Sequence, residues 1–138
     1  MKDAVKVHWL PCTVGYAGSA NVGAYFLPKH TGSQSDGYAV EEAHFRGRQL
    51  KGTTLQLPDN YTGQVLLKQH VSDEGSQWAS QATFTSFTAW KHGVQALKTD
   101  SAQRRLDYLR ICQQMHAPVS KACLERELAD NTFAKGKH

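Results

Sequence analysis

Proline and glycine divide the first ninety residues of this chain into short segments, and this punctuation constrains the fold more than any other feature. Pro11, Pro28 and Pro58 each follow an apolar stretch, and proline ends a strand or places it at a sheet edge because it has no backbone N–H to donate. The stretch from Val5 to Leu10 alternates apolar and polar residues with the period of a half-buried strand. The pattern therefore predicts several short β-strands.

Further strands and turns are predicted along the same region. We expect a short strand over 22–27, a surface loop over 30–37, and one long, bent strand over 38–51 with a bulge at Gly47. Lys51-Gly52 resembles a hairpin turn into a strand over 53–57, and Pro58 to Asn60 is a turn. A strand over 63–69, a polar loop over 70–77 and a strand over 82–90 complete the β-rich region, although the spacing of Phe84, Phe87 and Trp90 also suits a helix or a bulged strand.

The pattern becomes helical after Gly93. Asp100 and Gln103 form a capping-box-like start, and Pro118 ends the helix. Its apolar positions cover more than half of the circumference, so we expect it to pack against two surfaces or a partner. We divide the chain into a β region over 1–98, a C-terminal helix over 99–117 packed on the same domain, and a short extra helix with a flexible tail over 118–138. The fold class is mainly β with a C-terminal α-helix.

The length of 138 residues fits a single domain, and the charged fraction of 20% is that of a globular protein. No apolar run reaches the roughly 20 residues of a bilayer span, and the first residues lack the apolar core of a signal peptide. We expect a soluble, intracellular protein without membrane contact. Three cysteines without paired spacing predict reduced thiols.

The acidic residues and histidines do not predict an active site. A two-metal nuclease needs carboxylates that converge on ions about 4 Å apart. Glu41 and Glu42 are adjacent on a predicted strand and point to opposite faces. The seven histidines show no metal-ligand spacing, and no phosphate-binding glycine loop or nucleophile motif is present. We therefore expect no catalytic, metal-binding or cofactor-binding residue in this chain.

One basic segment, Phe45-Arg46-Gly47-Arg48, is a candidate for contact with nucleic acid or with a partner's acidic groups. On a continuous strand Arg46 and Arg48 would share one face and Phe45 would lie on the other. Binders of single strands place cations and stacking aromatic rings on the same surface, so this alternation weakens the nucleic-acid interpretation. Two solvated arginines beside a core Phe45 explain the pattern equally well.

Several segments together resemble a known family. In order they are Trp9-Leu10-Pro11-Cys12, Val22-Gly23-Ala24-Tyr25-Phe26, Phe45-Arg46-Gly47-Arg48-Gln49-Leu50-Lys51-Gly52, Gly63-Gln64-Val65-Leu66-Leu67 and Phe84-Thr85-Ser86-Phe87-Thr88-Ala89-Trp90. From about His8 to Trp90, this series resembles the third subunit of the eukaryotic type 2 ribonuclease H heterotrimer, which is not catalytic. Relatives often carry a longer acidic insertion before the Phe84 segment and a shorter segment after Pro118.

The resemblance implies a non-catalytic subunit. In that family, the second and third subunits interweave strands into three joined β-barrels, so region 1–98 would be a β-barrel region. The pair docks on the catalytic subunit, which is expected to use Mg²⁺, and the complex cleaves RNA in RNA–DNA hybrids and removes ribonucleotides embedded in DNA. The resemblance also implies a nuclear location. By position, the barrel or partner-interface residues would be Leu10, Pro11, Cys12, Val22, Tyr25, Phe26, Phe45, Arg46, Gly47, Arg48, Leu50, Lys51, Gly52, Phe84, Phe87 and Trp90.

Two other functions are compatible with the sequence. A free-standing barrel of the oligonucleotide-binding type would bind single-stranded nucleic acid through its basic strand. It would be a stable monomer with salt-sensitive affinity, whereas a scaffold subunit would aggregate alone because of unpaired strand edges. An independent enzyme is third, since it would need a carboxylate or histidine cluster that the sequence does not offer.

Overall fold

The computed structural model of the chain describes residues 5–71 and 75–134. The strands are β1 (His8–Trp9), β2 (Lys29–Ser35), β3 (Tyr38–Phe45), β4 (Arg48–Gln56), β5 (Gly63–Val71), β6 (Gly75–Phe84) and β7 (Ser86–His92). The helices are α1 (Val22–Tyr25), α2 (Ser101–Met115) and α3 (Lys121–Ala134). The predicted fold class, mainly β with a C-terminal helix, is confirmed.

The strands form two separate sheets. Five of them pair in the order β1-β7-β4-β3-β2, with β1 parallel to β7 and the other neighbours antiparallel. The two remaining strands, β5 and β6, pair with each other as an antiparallel ribbon. Neither sheet closes into a barrel within the described part of the chain, so the barrel expected over 1–98 is not formed by this chain's described strands alone.

The hairpin between β2 and β3 corrects the predicted loop over 30–37. Asp36 and Gly37 both have positive φ, at 52° and 86°, as a two-residue hairpin turn of type I′ requires. Asp-Gly is a strong hairpin signal, and the polar residues before it form an exposed edge strand instead of a loop. Polarity alone was misleading, because an edge strand can be solvated on both faces.

The stretch over 38–51 is also a hairpin and not one bent strand. Arg46 and Gly47 have φ of 49° and 76° and form the two-residue turn between β3 and β4. Gly47 is therefore a turn residue and not a bulge. The turn predicted at Lys51-Gly52 was wrong, because β4 continues through both residues, with Gly52 opposite Trp90 of β7.

Three further predictions are corrected. Residues 22–25 form the one-turn helix α1, closed by the hydrogen bond from Phe26 N to Val22 O at 2.8 Å, where a strand was expected. The strand predicted over 82–90 is divided at Thr85, where the chain leaves β5 as pairing partner and joins β4. The loop predicted over 70–77 is partly strand, since β5 reaches Val71 and β6 begins at Gly75, and residues 72–74 lie outside the described residues.

The contacts group the chain into one unit up to Asp107 and a second unit from Tyr108 on. In the second unit, the end of α2 and helix α3 carry exposed apolar side chains, among them Tyr108, Ile111, Met115, Leu124 and Leu128. The Cys123 N–H donates to Ser120 Oγ at 3.2 Å, so Ser120 caps the extra helix. This helix spans Lys121–Ala134, and the tail over 135–138 lies outside the described residues. The predicted domain boundaries stay predictions.

The capping box at the start of α2 is not formed. Gln103 is buried, and its Oε1 has no hydrogen-bond partner, whereas a capping box would join that atom to the N–H of Asp100. The Asp100 N–H donates instead to Leu97 O at 3.0 Å. The Asp100 carboxylate accepts from the Leu97 N–H and from Lys91 Nζ, each at 2.8 Å. Asp100 therefore fixes the loop before the helix to strand β7.

Candidate interaction surface

The centre of the larger sheet holds several of the residues that the sequence singles out. Phe26, Ala43, Leu50 and Trp90 form one buried cluster, and Leu10 and Phe45 pack against it half-buried. The ring of Phe26 stands edge-on to Trp90, with centroids 5.1 Å apart. These residues stabilise the sheet, and the four buried side chains each expose less than a tenth of their surface.

Strand β1 is attached to this cluster through a histidine. The Trp90 indole N–H donates to His8 Nδ1 at 3.1 Å, and the imidazole stands edge-on to Phe26 at 5.2 Å between centroids. Desolvation by burial lowers the pKa of His8, although Glu41 opposes this effect and Lys6 adds to it. Only a neutral imidazole has a nitrogen that can accept a hydrogen bond from the indole N–H. The packing therefore favours the protonation state that this hydrogen bond needs.

The remaining predicted interface residues differ in exposure. Those that are half-buried are Leu10, Phe45, Lys51, Phe84 and Phe87, and those that are exposed are Pro11, Cys12, Val22, Tyr25, Arg46, Gly47 and Arg48. Gly52 is buried because the Trp90 ring covers it. The side chain of Tyr25 is 84% exposed, which places an aromatic ring almost entirely in solvent. The interface role of these residues stays a prediction.

The two arginines of the basic segment do not share a strand face. Arg46 lies in the turn and Arg48 begins β4, where it pairs with Phe45 across the hairpin. Cross-strand partners point to the same side of a sheet, so Phe45 and Arg48 lie on one face. The alternation along a continuous strand had placed them on opposite faces. The prediction was wrong because a two-residue turn changes the register between Phe45 and Arg48.

The β5–β6 ribbon exposes apolar side chains on a strand pair with two outer edges. Pairing of Leu67 with Ala79, and of Val65 with Ala82, places these four residues on one face, together with Phe84 opposite Gly63. We call this the apolar face of the ribbon. The other face carries Leu66 beside polar residues, and there Lys68 Nζ lies 6.0 Å from the centroid of the Trp78 ring. Leu67 is 44% exposed and Trp78 is 64% exposed, so the ribbon is incompletely covered.

The acidic residues in the described part of the chain do not converge on a metal site. Glu41 accepts a hydrogen bond from Thr54 Oγ1 at 2.7 Å, and Glu42 accepts one from Gln49 Nε2. The two carboxylates point to opposite faces of β3, as predicted. Within residues 5–71 and 75–134, no group of three or more His, Cys, Asp or Glu residues could hold a metal ion. No helix in that part of the chain is long and apolar enough to cross a membrane.

Sequence reasoning missed two features of the structure. The first is the ion pair between Lys91 Nζ and Asp100 Oδ1, at 2.8 Å. It could not be predicted from sequence, because it forms only when the loop after β7 folds back onto that strand. Burial raises the pKa of Asp100, but hydrogen bonds from Lys91 and the Leu97 N–H and the Lys91 charge together hold it below its ordinary value. The exposed ribbon was missed because the polar residues after Gln69 resemble a loop. The adjacent leucines Leu66 and Leu67 were the available signal, since adjacent positions on a strand must face opposite sides.

Comparison with known proteins identifies the family of this chain. The family model described as ribonuclease H2 non-catalytic subunit (Ylr154p-like) matches residues 6–77, which include β1 to β5 and both hairpin turns. The chain is also 36% identical over 94 residues to the uncharacterized protein C12B10.15c of Schizosaccharomyces pombe. That match covers 62% of this chain and 63% of the relative, so the chain spans somewhat less than two thirds of the relative's length. This chain belongs to the family of ribonuclease H2 non-catalytic subunits.

Proposed function

We propose that this chain is a non-catalytic structural subunit of a type 2 ribonuclease H complex. In this proposal a separate catalytic subunit cleaves RNA in RNA–DNA hybrids and removes ribonucleotides embedded in DNA, while this chain holds the complex together. The observation that carries the proposal is the family match over residues 6–77. The separate hydrogen-bond partners of Glu41 and Glu42 agree with a role outside the chemistry.

The proposal includes the other non-catalytic subunit as the partner that completes the open sheets. A two-stranded ribbon is marginally stable in water unless a third strand or another packed element covers its apolar face. The apolar face of the ribbon, with Val65, Leu67, Ala79, Ala82 and Phe84, is suited to such a partner. Added strands from this partner would close a barrel, which is the interwoven triple-barrel arrangement expected from the resemblance.

The remaining parts of the proposal concern the complex and not this chain. Mg²⁺ would be bound by the catalytic subunit, with no cofactor in this chain, and the RNA–DNA hybrid would be engaged through the assembled complex. We also propose a nuclear location, where ribonucleotides embedded in DNA are removed.

The alternative function, binding of single-stranded nucleic acid by this chain alone, has one observation in its favour. Lys68 lies over the exposed ring of Trp78, on the face of the ribbon opposite its apolar face. Proteins that bind single strands combine cations with stacking rings in this way. Binding of a labelled single-stranded oligonucleotide by the isolated chain, lost in Trp78→Ala and steeply weakened by salt, would support this alternative.

Co-expression of the tagged chain with a candidate catalytic subunit and a candidate second non-catalytic subunit, followed by size-exclusion chromatography, tests the structural role. A stable 1:1:1 complex is expected. The variant Leu67→Asp places a charge on the apolar face of the ribbon and should abolish recovery of the second non-catalytic subunit, because an unpaired charge in an interface is costly. Leu66→Asp is the matched control, since Leu66 is 49% exposed against 44% for Leu67 but lies on the opposite face. Elution of this chain as a monomer, without either candidate partner, would contradict the proposal.

A further inference from the structure

The tip of the β3–β4 hairpin places two arginines at one end of the larger sheet. Arg46 lies in the two-residue turn and Arg48 is the first residue of β4, and both side chains are exposed. Within the described part of the chain, neither guanidinium group takes part in an ion pair or a hydrogen bond. Two uncommitted cations therefore stand in solvent on one turn.

Two exposed histidines lie at the same end of the sheet. His44 is the cross-strand partner of Gln49, on the face opposite to Arg48. His92 is the cross-strand partner of Leu50, which follows Arg48 by two residues and therefore shares its face. Each face of the hairpin tip thus carries an imidazole beside the arginines.

The two acidic residues of β3 do not neutralise the tip. Glu41 shares the face of Arg48, but its cross-strand partner is Gly52, four residues further along β4. Four strand residues span about 13 Å, which exceeds the Debye length of about 8 Å at physiological ionic strength. Glu42 lies on the other face, opposite a lysine of each neighbouring strand. The tip therefore keeps a net positive charge.

Arg46 occupies a backbone position that disfavours arginine. Its φ is 49°, and the first position of a type I′ turn prefers asparagine, aspartate or glycine. A residue held in this region costs stability, and such residues concentrate where a side chain serves a function. Since asparagine would form the turn more easily, folding does not explain the arginine.

The surrounding surface has the chemistry of a nucleic-acid contact and not of a protein interface. The core of a protein interface is depleted of charge and enriched in aromatic side chains, whereas surfaces that bind nucleic acid are more polar and more positive. Over residues 38–56, all of which the structure describes, no large apolar side chain is exposed. Val94, two residues after His92, is exposed and apolar, but single apolar side chains are ordinary on any protein surface.

The aromatic ring next to the arginines is not free to stack on a base. Phe45 is half-buried and stands edge-on to Phe26, with centroids 6.2 Å apart. Proteins that bind single strands rely on stacking rings, whereas contact with a duplex backbone needs only donors to phosphate oxygens. The tip is therefore suited to the backbone of a duplex.

We propose that Arg46 and Arg48 bind phosphate groups on the backbone of the duplex substrate, outside the catalytic centre. Guanidinium groups donate charge-assisted hydrogen bonds to phosphate oxygens, and such contacts position a duplex without reading its sequence. The hairpin tip then orients the duplex for the catalytic subunit. The identity of the duplex as the RNA–DNA hybrid rests on the proposed function, whereas the phosphate ligand does not.

The double variant Arg46→Asn/Arg48→Gln removes both charges without straining the turn. It would be assembled with the other non-catalytic subunit and with a catalytic subunit that carries a metal-ligand substitution, so that a hybrid is bound but not cleaved. Fluorescence anisotropy of a labelled RNA–DNA hybrid at several salt concentrations gives the affinity. We expect about tenfold weaker binding. The slope of log affinity against log salt should fall by about two, one for each lost phosphate contact.

The double variant Arg104→Gln/Arg126→Gln is the matched control, because it removes the same charge from two exposed helical positions. It should bind the hybrid like the wild-type complex. Urea unfolding of the Arg46→Asn/Arg48→Gln chain should show that it is no less stable than the wild type, since asparagine tolerates the turn. Weaker binding by a chain of undiminished stability is a result that a purely structural role of the arginines does not produce.

Two results would overturn the site. One is an unchanged affinity and salt slope in the Arg46→Asn/Arg48→Gln complex. The other is a complex that assembles with the wild-type chain but not with this variant, because the arginines would then hold a protein partner.

Titration of the full chain alone with a short hybrid duplex at low salt tests the site independently of the proposed function. Backbone amide resonances of residues 46–48 and of His92 should shift, and added salt should reverse the shifts. Absence of shifts, or shifts confined to the ribbon, would overturn the site. A wild-type complex that fails to assemble would contradict the proposed function, whereas this titration would still judge the phosphate contacts.

Discussion

The indole N–H of Trp90 donates a hydrogen bond to Nδ1 of His8, 3.1 Å away, and so joins the first strand of the chain to the last. Strand β1 has only two residues, and its pairing with β7 is limited to His8 with Thr88 and Trp9 with Ala89. Such a short pairing adds little stability alone. The side chain of His8 adds an attachment of β1 to the sheet beside the packing of Trp9 on Phe87.

Replacement of His8 by alanine should destabilise the fold. The Trp90 N–H would lose its acceptor inside a largely apolar cluster, and an unsatisfied buried donor costs about 1–3 kcal/mol. Urea unfolding followed by tryptophan fluorescence measures this loss. His30→Ala is the control, because His30 is exposed on an edge strand and should change stability by less than about 0.5 kcal/mol. Equal effects of the two variants would show that the hydrogen bond is unimportant.

Stability should fall in mild acid because of the same histidine. The pKa of His8 in the folded chain is lowered from its usual 6.5, so the unfolded chain binds the proton more readily. The contribution of His8 is therefore complete above pH 6.5 and is lost as pH falls through the folded pKa. The free energy of unfolding, measured between pH 8 and pH 5, reports this contribution, and His8→Ala should flatten its slope against pH.

The pKa of Asp100 is also lowered, from 3.8, so Asp100→Asn should alter the pH dependence of stability only in stronger acid.

A methyl group at Gly52 should disrupt the contact between β4 and β7. A Cβ there would lie 2.6 Å from Cε3 of the Trp90 ring, which is too close for any real contact. Gly52→Ala should cost about 1–3 kcal/mol, because the ring can move only by displacing the core cluster. Gly23→Ala is the control, since a Cβ at Gly23 would meet nothing within 4 Å. Thermal unfolding of both variants gives the comparison, and an unchanged melting temperature for Gly52→Ala would contradict this packing.

The turn between β3 and β4 predicts opposite effects at two adjacent positions. Gly47 has a φ of 76°, so Gly47→Ala should destabilise the chain by about 1 kcal/mol. Arg46, at 49°, is strained as a non-glycine residue, and Arg46→Asn should stabilise the chain slightly because asparagine tolerates this region. Thermal unfolding is the measurement. If Arg46→Asn were as harmful as Gly47→Ala, the segment would be better explained by the bulged strand expected from sequence.

The sequence predicted the general architecture because its signals are local. The proline boundaries and the helical periodicity after Gly93 each depend on residues close in the chain. The alternation over Val5 to Leu10 was a poorer guide, because β1 spans only His8–Trp9 and Trp9, expected on the buried face, is 43% exposed. The two hairpins were missed for different reasons. Asp36-Gly37 carries a clear turn signal but follows a strand that is polar throughout, and Arg46-Gly47 replaces the usual asparagine with an arginine that gives no turn signal.

The functional features were harder to predict because they depend on contacts between distant segments. The contact of His8 with Trp90 arises only when β1 and β7 meet. The open ribbon depends on Thr85, where the chain changes pairing partner, and no residue type there signals the change. The family could be inferred because several short segments occur in a fixed order, which requires no knowledge of the contacts.

The most direct test of the proposed function is cleavage of a DNA duplex that contains a single ribonucleotide. The catalytic subunit and the other non-catalytic subunit would be assayed with and without this chain, and this chain would be assayed alone. We expect cleavage only when all three are present, with activity abolished by substitution of a metal ligand in the catalytic subunit. Full activity of the two partners without this chain, or cleavage by this chain alone, would contradict its assignment as a non-catalytic structural subunit.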